Sequence, residues 1–455
     1  MNSKNSVGFS MASIPTTQLD EIHEASLAIL RETGINVHCP ELRALLREAG
    51  ARVQDDLRTF IPPSLVDRAL ASAPSRIDIY NRKGEPAMML EGTRIYFGTG
   101  SDLEYTIDPS TGRRRESTLK DVEQSARLCE KLANIDFVMS YGLPRGLPAG
   151  RCEIEQFRAM LNNTSKPIIM TEYSGRKTFE EMHRLACDRS GGETDFRRQP
   201  NYIMYGQFVS PLQHDAGALE RLVFCADHGI PLIYVPTIMM GASGPVTLAG
   251  ALALANAECL AGLVMHQLRV PGAPFIYGGC VTPLDMRTTV FSYGAPEWRM
   301  ADMVLSQLSQ RYRLAIFGTA GTTDAKVIDA QAGAEWAYSL LACTLAGTNL
   351  IHDVGYMESG LTGSPEALLI CDEIIGMVKR FISGFEINED TLALDLIHRV
   401  GPAGHFMEEE HTLDHFREST WHPCLFDRKR FDEWEQNGKD LRQRCRERAA
   451  ELLKT

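Results

Sequence analysis

From about residue 119, segments with helical spacing of apolar residues alternate with short apolar runs, and this alternation restricts the fold to a few α/β architectures. The helical segments cover 119–133, 150–162, 176–189, 215–228, 247–269, 296–311, 328–346 and 364–381. Seven apolar runs lie between them, at 136–139, 167–170, 202–205, 231–235, 274–277, 314–317 and 349–351. Runs that are apolar on both faces are typical of parallel strands covered by helices. The pattern predicts a TIM (β/α)8 barrel, with an open doubly wound sheet as the alternative.

The sequence on either side of this alternation has a different character. Residues 1–118 combine helix-like segments with short strands and turns, which predicts a helical N-terminal part with a small antiparallel β unit. The barrel core is expected over 119–384. Residues 385–455 are a helical extension that we expect to complete the barrel, with His405-Phe406-Met407 as the candidate eighth strand. The same extension is a candidate arm for a homo-oligomer.

Charge and cysteine content exclude several classes of protein. The 455 residues carry a formal net charge of −12 and contain no long basic run, which argues against nucleic-acid binding. The 11 cysteines are scattered without a CxxC pair, so a disulfide framework is not expected. The first fifteen residues lack the apolar core of a signal peptide, and no run of 18 or more apolar residues occurs. These features predict a cytoplasmic protein without a membrane span.

The stretch 349–366 concentrates the groups that could carry chemistry. An apolar run ends in His352 and Asp353, and a Gly-rich loop with Tyr356 and Glu358 leads to a predicted helix start. In barrels of parallel strands, such strand-to-helix connections form the catalytic face. The alternative is a buried His–Asp pair that only fixes a loop.

Tyrosines follow several predicted strands, whose carboxyl ends meet at one mouth in a barrel. They are Tyr141, Tyr173, Tyr234, Tyr277 and Tyr356. A quaternary ammonium has no N–H donor, so ring faces and desolvated carboxylates are the groups that bind it. The alternative is that these tyrosines cover the core and keep their hydroxyls in water.

A metal site is the competing interpretation. His411 and His415 lie four residues apart, and His422 and Cys424 follow, so the segment offers zinc-ligand types. An HExxH motif is absent and the spacing matches no known ligand frame, so we expect no metal. A zinc-dependent hydrolase that uses these residues stays an alternative function.

Several stretches together resemble the trimethylamine methyltransferase superfamily, in its branch without pyrrolysine. They are Phe97-Gly98-Thr99-Gly100, 108–118, Asn163-Thr164-Ser165-Lys166-Pro167, 349–365, 411–417 and Trp421-His422-Pro423. The resemblance implies a TIM barrel that moves a methyl group from a methylated amine to the cobalt of a separate corrinoid protein. It also implies a role in one-carbon metabolism, a corrinoid protein as partner, and no cofactor held tightly by this chain.

The resemblance also suggests the substrate class. Founding members carry pyrrolysine in the loop after the seventh strand, and Leu361 occupies the comparable place here. Leucine cannot activate a tertiary amine, which argues against trimethylamine. A quaternary amine such as glycine betaine already carries a positive nitrogen and needs no such help. The expected reaction therefore demethylates a betaine and leaves a dimethylamino product.

Site roles follow as expectations from the residues and the resemblance. The catalytic candidates are His352, Asp353 and Glu358. The candidates for substrate binding are Tyr96, Phe97, Tyr141, Glu172, Gln207, Tyr234, Tyr277, Tyr356 and Leu361, with Arg145 as a second partner for a carboxylate end. A barrel that binds quaternary amines without catalysis is the remaining alternative.

Overall fold

The computed structural model describes residues 6–7, 10–11, 14–54, 57–148 and 150–454, and parallel strands close into a ring within it. In chain order the strands are β1 (Ser6–Val7), β2 (Ile35–Val37), β3 (Arg52–Gln54), β4 (Arg58–Phe60), β5 (Ile77–Tyr80), β6 (Pro86–Leu90), β7 (Tyr96–Phe97), β8 (Tyr105–Ile107), β9 (Arg114–Glu116), β10 (Ile168–Thr171), β11 (Tyr202–Phe208), β12 (Gln213–His214), β13 (Leu232–Met240), β14 (Phe275–Gly278), β15 (Cys280–Pro283), β16 (Ala315–Thr319), β17 (Leu350–His352), β18 (Thr362–Gly363) and β19 (Phe385–Glu386).

Helices connect and cover these strands. They are α1 (Thr16–Ala28), α2 (Pro40–Glu48), α3 (Pro63–Ser72), α4 (Leu119–Lys131), α5 (Cys152–Asn163), α6 (Arg176–Ser190), α7 (Glu193–Arg198), α8 (Ala216–His228), α9 (Leu248–Arg269), α10 (Pro296–Tyr312), α11 (Ala330–Ala346), α12 (Pro365–Ile382), α13 (Glu389–Leu392), α14 (Leu394–Val400), α15 (Glu410–Ser419), α16 (Phe431–Asn437) and α17 (Leu441–Leu452). A π-helical turn follows α1 at Ile29–Thr33, and a 3-10 turn lies at Glu358–Gly360.

The ring is a (β/α)8 barrel. Strands β10, β11, β13, β14, β16, β17 and β7 pair side by side and in parallel, in that order. Two parallel bridges, Gly98 to Phe137 and Val138 to Ile168, close the ring through the segment 137–138. This gives eight strand positions, and the predicted TIM barrel is confirmed.

The position of the eighth strand differs from the prediction. Residues His405-Phe406-Met407 form no strand, and β7 completes the barrel instead. Tyr96 pairs with Leu350 in the register of β17, so the chain enters the barrel before the region assigned to its core. The neighbouring β5 and β6 do form the expected antiparallel hairpin, which is why β7 looked like a third member of that unit. The C-terminal extension is therefore not needed to close the barrel.

Alternation along the barrel strands separates two cores. One set of side chains fills the barrel interior, where Ile203, Ile233 and Phe317 pack together with Ile79 and Met88 of the β5–β6 hairpin. The hairpin therefore covers the amino-terminal end of the barrel, opposite the end where the strands finish. The other set packs against the helices in a larger apolar cluster. Successive residues of a strand face opposite sides, so position along the strand decides which core a side chain joins.

Helix α9 is the one helix among the described residues that is long and apolar enough to cross a membrane by length and composition. Its most apolar 18-residue window is 83% buried inside the fold, as in a core helix. The side-chain amide of Asn256 on this helix donates to Ser26 Oγ at 2.9 Å and accepts from Tyr277 OH at 2.8 Å. The polar groups of Asn256 are therefore satisfied within the protein.

The C-terminal extension packs against its own chain. Cys445 and Ala449 of α17 are buried, and Arg446 Nε lies 3.1 Å from Oε1 of the buried Glu366 on α12. The sequence 431–455 contains two helices, because Gly438 ends α16 in the left-handed conformation. This packing accounts for the extension without a partner chain, and the homo-oligomer stays a prediction.

Lys166 joins the end of α4 to the start of β10. Its ammonium group donates to the backbone carbonyls of Cys129 at 2.6 Å and Leu132 at 2.7 Å, and to that of Ile135. Carbonyls at a helix C-terminus have no partners within the helix, and a cation is well suited to them. The stretch Asn163-Thr164-Ser165-Lys166-Pro167 thus contains a structural clamp.

We predict that Lys166→Met lowers the free energy of unfolding by about 2–4 kcal/mol, because charge-assisted hydrogen bonds are lost and carbonyls are left unpaired. Denaturant-induced unfolding measures the change. Lys120→Met, on the exposed first turn of α4, is the matched control and is expected to change stability by less than about 0.5 kcal/mol. Equal stabilities of the two variants would contradict the role of the clamp.

Candidate active site

His352 and Asp353 lie at the carboxyl end of β17, inside the mouth of the barrel. His352 Nδ1 is 2.8 Å from the carbonyl oxygen of Gly318, which only accepts, so Nδ1 carries the proton. The imidazole stacks on Phe317 with ring centroids 3.9 Å apart. Its Nε2 therefore has a free lone pair, and Asp353 Oδ2 lies 3.3 Å from it.

Burial favours the neutral form of both groups. It lowers the pKa of His352 to about 3. Burial also raises the pKa of Asp353 well above its usual value, and the negative charge of Asp102 raises it further. A protonated Asp353 carboxyl can donate to His352 Nε2, so the pair is stable without a net charge. A cation placed beside Asp353 would shift it to the carboxylate.

Asp102 is the second carboxylate of the mouth. It follows β7, the strand adjacent to β17, and its Oδ2 accepts from Thr171 Oγ1 at 2.9 Å and from Ser101 Oγ at 2.8 Å. Burial raises its pKa too. Asp102 and Asp353 both adopt left-handed backbone conformations, with φ of 63° and 68°. Such conformations in residues other than glycine are uncommon, and they concentrate at functional sites.

The chain comes very close to the Asp353 carboxyl group at Gly100. A Cβ atom built on Gly100 would lie 2.0 Å from Asp353 Oδ1 and 2.3 Å from the Tyr356 hydroxyl. Tyr356 OH donates to the carbonyl of Ser101. Only glycine at position 100 leaves space for both groups, so the Gly-rich loop after β7 positions a carboxylate rather than a phosphate.

Aromatic rings surround the two carboxylates. Tyr205 packs against Phe317 at 5.4 Å between ring centroids, and it lies 6.4 Å from the His352 ring. Tyr293 lies 6.3 Å from Tyr356. Burial raises the pKa of Tyr205 and Tyr293, and an ionised Asp353 raises both further.

Tyr173 follows β10 and is 62% exposed at the rim of the mouth. The same strand ends at Thr171, whose hydroxyl donates to Asp102, so Tyr173 lies on the rim beside that carboxylate. The mouth thus combines carboxyl groups with ring faces.

Several predicted site residues lie elsewhere, so the expectation that they line the mouth is wrong. Phe97, Tyr234 and Tyr277 belong to the cluster between strands and helices. Tyr234 OH bonds to His214 Nδ1 at 2.9 Å, and Tyr277 OH donates to Asn256 on α9. Each occupies a strand position whose side chain points away from the barrel axis.

Tyr96 and Glu172 are also outside the mouth. Tyr96 OH accepts from the Met89 backbone N–H at 3.0 Å, which places it at the amino-terminal end beside the β5–β6 hairpin. Glu172 is fully buried behind the strand, and its Oε2 lies 3.9 Å from Arg221 Nε on α8. The guanidinium compensates this carboxylate, so Glu172 is a poor countercharge for a substrate.

Two further candidates, Glu358 and Arg145, lie on the rim and are already paired with other side chains. Glu358 accepts from Arg114 Nε at 2.7 Å and from Arg114 Nη2 at 3.0 Å, so its charge is already neutralised. Arg145 Nη2 lies 3.0 Å from Glu104 Oε2 on the exposed surface. Neither group is free to serve a ligand in this arrangement.

The remaining candidates lie at or next to the mouth. Gln207 continues the inward-facing set of β11 and donates to Thr237 Oγ1. Tyr141 is buried behind the loop, where its hydroxyl donates to the Gly355 carbonyl at 2.8 Å and its ring lies 6.2 Å from Tyr356. Leu361 is 42% exposed in the loop after β17.

The candidate zinc residues are arranged differently from the prediction. His411 and His415 do share one face of α15, with ring centroids 4.3 Å apart. Within the described ranges, Asp390 completes a group of ligand atoms with them, and Cys424 is not part of it. This group lies on the C-terminal extension and not at the barrel mouth.

Sequence reasoning missed Asp102, Tyr205, Tyr293 and Phe317 as site residues. Asp102 had a usable signal, since it follows β7 within Thr99-Gly100-Ser101-Asp102. Tyr205 and Phe317 lie within apolar strands, where composition does not reveal which residue faces inward. Tyr293 lies in the long connection between β15 and α10, away from any strand end.

Comparison with known proteins agrees with the resemblance noted in the sequence. The sequence profile of the trimethylamine methyltransferase (MTTB) family matches residues 7–455. Trimethylamine methyltransferase MttB of Desulfitobacterium hafniense (strain DSM 10664 / DCB-2) is 33% identical over 448 residues, covering 98% of this chain and 90% of that protein. Glycine betaine methyltransferase of Desulfitobacterium hafniense (strain Y51) is 31% identical over 442 residues, covering 96% of this chain and 91% of that protein.

Solved structures support the fold. The crystal structure of monomethylamine methyltransferase (MtmB) from Methanosarcina barkeri matches with a TM-score of 0.56 at 11% identity, covering 98% of this chain and 88% of that chain. At this identity the likeness shows the barrel fold alone. The family match and the two relatives decide the assignment: the chain belongs to the trimethylamine methyltransferase family, whose members transfer methyl groups from methylated amines.

Proposed function

We propose that this protein transfers a methyl group from a quaternary amine, glycine betaine or a similar betaine, to a corrinoid protein, and releases a tertiary amine. The observation that carries the proposal is the pair of carboxylates, the half-buried Asp102 and the buried Asp353, among tyrosine rings at the barrel mouth. Buried carboxylates without a cationic partner are costly unless they are neutralised. A permanent cation with methyl groups on its surface offers both charge and ring contacts, each ring contact contributing about 0.5–2 kcal/mol.

The family match supports methyl transfer, and two features favour a quaternary substrate. One relative is named a glycine betaine methyltransferase. In addition, the loop after β17 presents Leu361, whose isobutyl group can neither bond to an amine nor donate a proton to one. A quaternary nitrogen takes the bonding electron pair when the methyl leaves, so the nitrogen of the product is neutral and no proton has to be supplied.

The residues of this chain bind, orient and desolvate the substrate. Tyr205, Tyr293 and Tyr173 supply ring faces, and Asp353 supplies countercharge on ionising. His352 is held by Gly318 and Phe317, and it keeps the Asp353 carboxyl in place. Binding holds one methyl group of the substrate toward the opening of the barrel, in line with the attacking nucleophile. The orientational entropy is therefore lost on binding, and little more has to be lost in the transfer step.

The acceptor is a reduced cobalt corrinoid, which supplies the nucleophile for the methyl carbon. The rim of the mouth suits a protein that carries such a group, because it presents exposed apolar side chains. Val209, Val246 and Met286 are exposed in loops that follow β11, β13 and β15. Exposed apolar groups around an opening are typical of a protein-binding surface. We place the reaction in the cytoplasm, with the corrinoid on its own protein and none held tightly here.

The direct test uses purified protein, cob(I)alamin and glycine betaine under anaerobic conditions. We expect stoichiometric dimethylglycine, measured by mass spectrometry, with matching loss of the cob(I)alamin absorbance. A folded protein that converts none of glycine betaine, proline betaine and carnitine would contradict the proposal. Saturable binding without conversion would instead indicate an amine-binding barrel that has lost catalysis. Trimethylamine is the control substrate and is expected to be inactive.

We predict that betaine affinity rises with pH. Burial raises the pKa of Asp353, whereas a bound cation favours the carboxylate, so at pH values below the free pKa betaine binding expels a proton. Each pH unit gained then strengthens binding up to tenfold, until that pKa is passed. Betaine does not titrate at its nitrogen, and His352 stays neutral because its pKa is about 3. Calorimetric titrations between about pH 5 and 9 measure the slope.

Asp353→Asn is the matching variant. It is expected to weaken betaine binding at high pH by about tenfold and to flatten the pH dependence, since the amide does not ionise. Asp188→Asn on the exposed face of α6 removes an equal charge and is expected to leave affinity and slope unchanged. A pH slope that survives in Asp353→Asn would assign the titration to another group, with Asp102 as the first alternative.

A further inference from the structure

A second cluster of ligating side chains lies on the opposite side of the barrel from the mouth. His183 and Cys187 lie one turn apart on α6, Glu193 begins α7, and His228 ends α8. Tyr202, which contacts His183, begins β11, so the cluster is near the amino-terminal ends of the strands. The proposed methyl transfer uses none of these residues.

The side chains of His183, Glu193 and His228 converge on one point, and Cys187 contacts two of them. His183 Nε2 lies 2.7 Å from Glu193 Oε2, and His228 Nδ1 lies 3.0 Å from Glu193 Oε1. Cys187 Sγ is 3.5 Å from His183 Nε2 and 3.4 Å from Glu193 Oε2. Ligand atoms of His183, Glu193 and His228 all lie within 4.8 Å of one another.

We propose that His183, Cys187, Glu193 and His228 form a zinc site that staples α6, α7 and α8. Two imidazoles, a thiolate and a carboxylate are the donor types that zinc prefers. At zinc–ligand distances of about 2.0–2.3 Å, neighbouring ligands of a tetrahedral ion are separated by roughly 3.3–3.8 Å. The two contacts of Cys187 already have this spacing, and the two His–Glu contacts need to open by roughly 0.3–0.6 Å. His228, which shares no contact with Cys187 in the cluster, has to turn toward the thiol to complete the site.

The surroundings suit a divalent ion. His183 is held from behind, because its Nδ1 lies 3.0 Å from the Tyr202 hydroxyl, as in metal sites whose imidazoles are oriented by a second hydrogen bond. His183 and Cys187 are buried, while the side chains of Glu193 and His228 are 40% and 35% exposed and leave a route for entry. Arg197 pairs with Glu193 Oε1 at 3.2 Å from a solvent-exposed position, so it can move into water when the metal replaces it.

The ligands can neutralise the charge of Zn²⁺ and release the displaced proton without any further group. The Glu193 carboxylate is ionised, since its hydrogen bonds from His228 and His183 outweigh burial and hold its pKa at about 2. Zinc binding displaces the thiol proton of Cys187, and each imidazole keeps one proton by moving it to the nitrogen that faces away from the metal. One proton is released per ion, and the thiolate and carboxylate together cancel the charge of Zn²⁺.

The test uses the full chain after removal of metal with a chelator. We expect one equivalent of Zn²⁺ to bind and to raise the melting temperature, with release of one proton. Co²⁺ serves as the spectroscopic probe, because a thiolate ligand gives a charge-transfer band. Cys187→Ser is expected to remove that band. His228→Gln, at the exposed end of α8, is expected to weaken zinc binding by at least tenfold while the protein stays folded.

His415→Gln is the matched control, since it alters the exposed Asp390–His411–His415 group instead. It should leave the Co²⁺ band and zinc affinity of the first cluster unchanged. Failure of the metal-free protein to bind stoichiometric zinc would overturn the proposal and leave a hydrogen-bonded cluster only. Binding that is lost in His415→Gln but kept in His228→Gln would assign the metal to α15. Betaine demethylation is independent of either outcome, because the cluster is remote from the mouth.

Discussion

The two-residue period of the barrel strands is the constraint on which the rest of the structure depends. Along each strand, alternate side chains enter the barrel or meet the helices, and a shift of one residue would exchange the two sets. The register places Tyr205, Phe317 and His352 inward and sends Tyr234 and Tyr277 to the helical layer. The register of the paired barrel strands therefore decides which side chains line the mouth. The presence of an aromatic residue in a strand does not decide it.

Electrostatics follows from that register. The barrel mouth holds Asp102 and Asp353 on adjacent strand positions, in strained backbone conformations, with Gly100 pressed against the second carboxyl group. Two other buried carboxylates have cationic neighbours, since Glu172 has Arg221 and Asp302 has Arg299 at 3.3 Å. In contrast, the carboxyl groups of the mouth rely on hydroxyl donors and protonation. A site that neutralises itself by taking up a proton can exchange that proton for a cationic ligand.

The fold was largely predictable, because helix and strand periodicities are local. The eight predicted helices and six of the seven predicted strands between residues 119 and 382 lie where the apolar spacing indicated, whereas 136–139 contributes only the bridges at Phe137 and Val138. The place of β7 in the barrel could not be predicted, because this strand (Tyr96–Phe97) is two residues long and its partner Leu350 is distant in sequence. At the site, His352 and Asp353 could be predicted, because they lie at the start of a strand-to-helix connection. Tyr205 could not, because strands buried on both faces carry no polar alternation that marks the inner side.

Direct observation of a bound quaternary amine tests the central claim most closely. In a crystal structure of the protein with glycine betaine, we expect the nitrogen within about 6 Å of the ring centroids of Tyr205 and Tyr293, with a methyl group toward the opening and Asp353 as the nearest carboxylate. Betaine bound away from these rings, or a lysine, arginine or metal ion found between Asp102 and Asp353, would contradict the account.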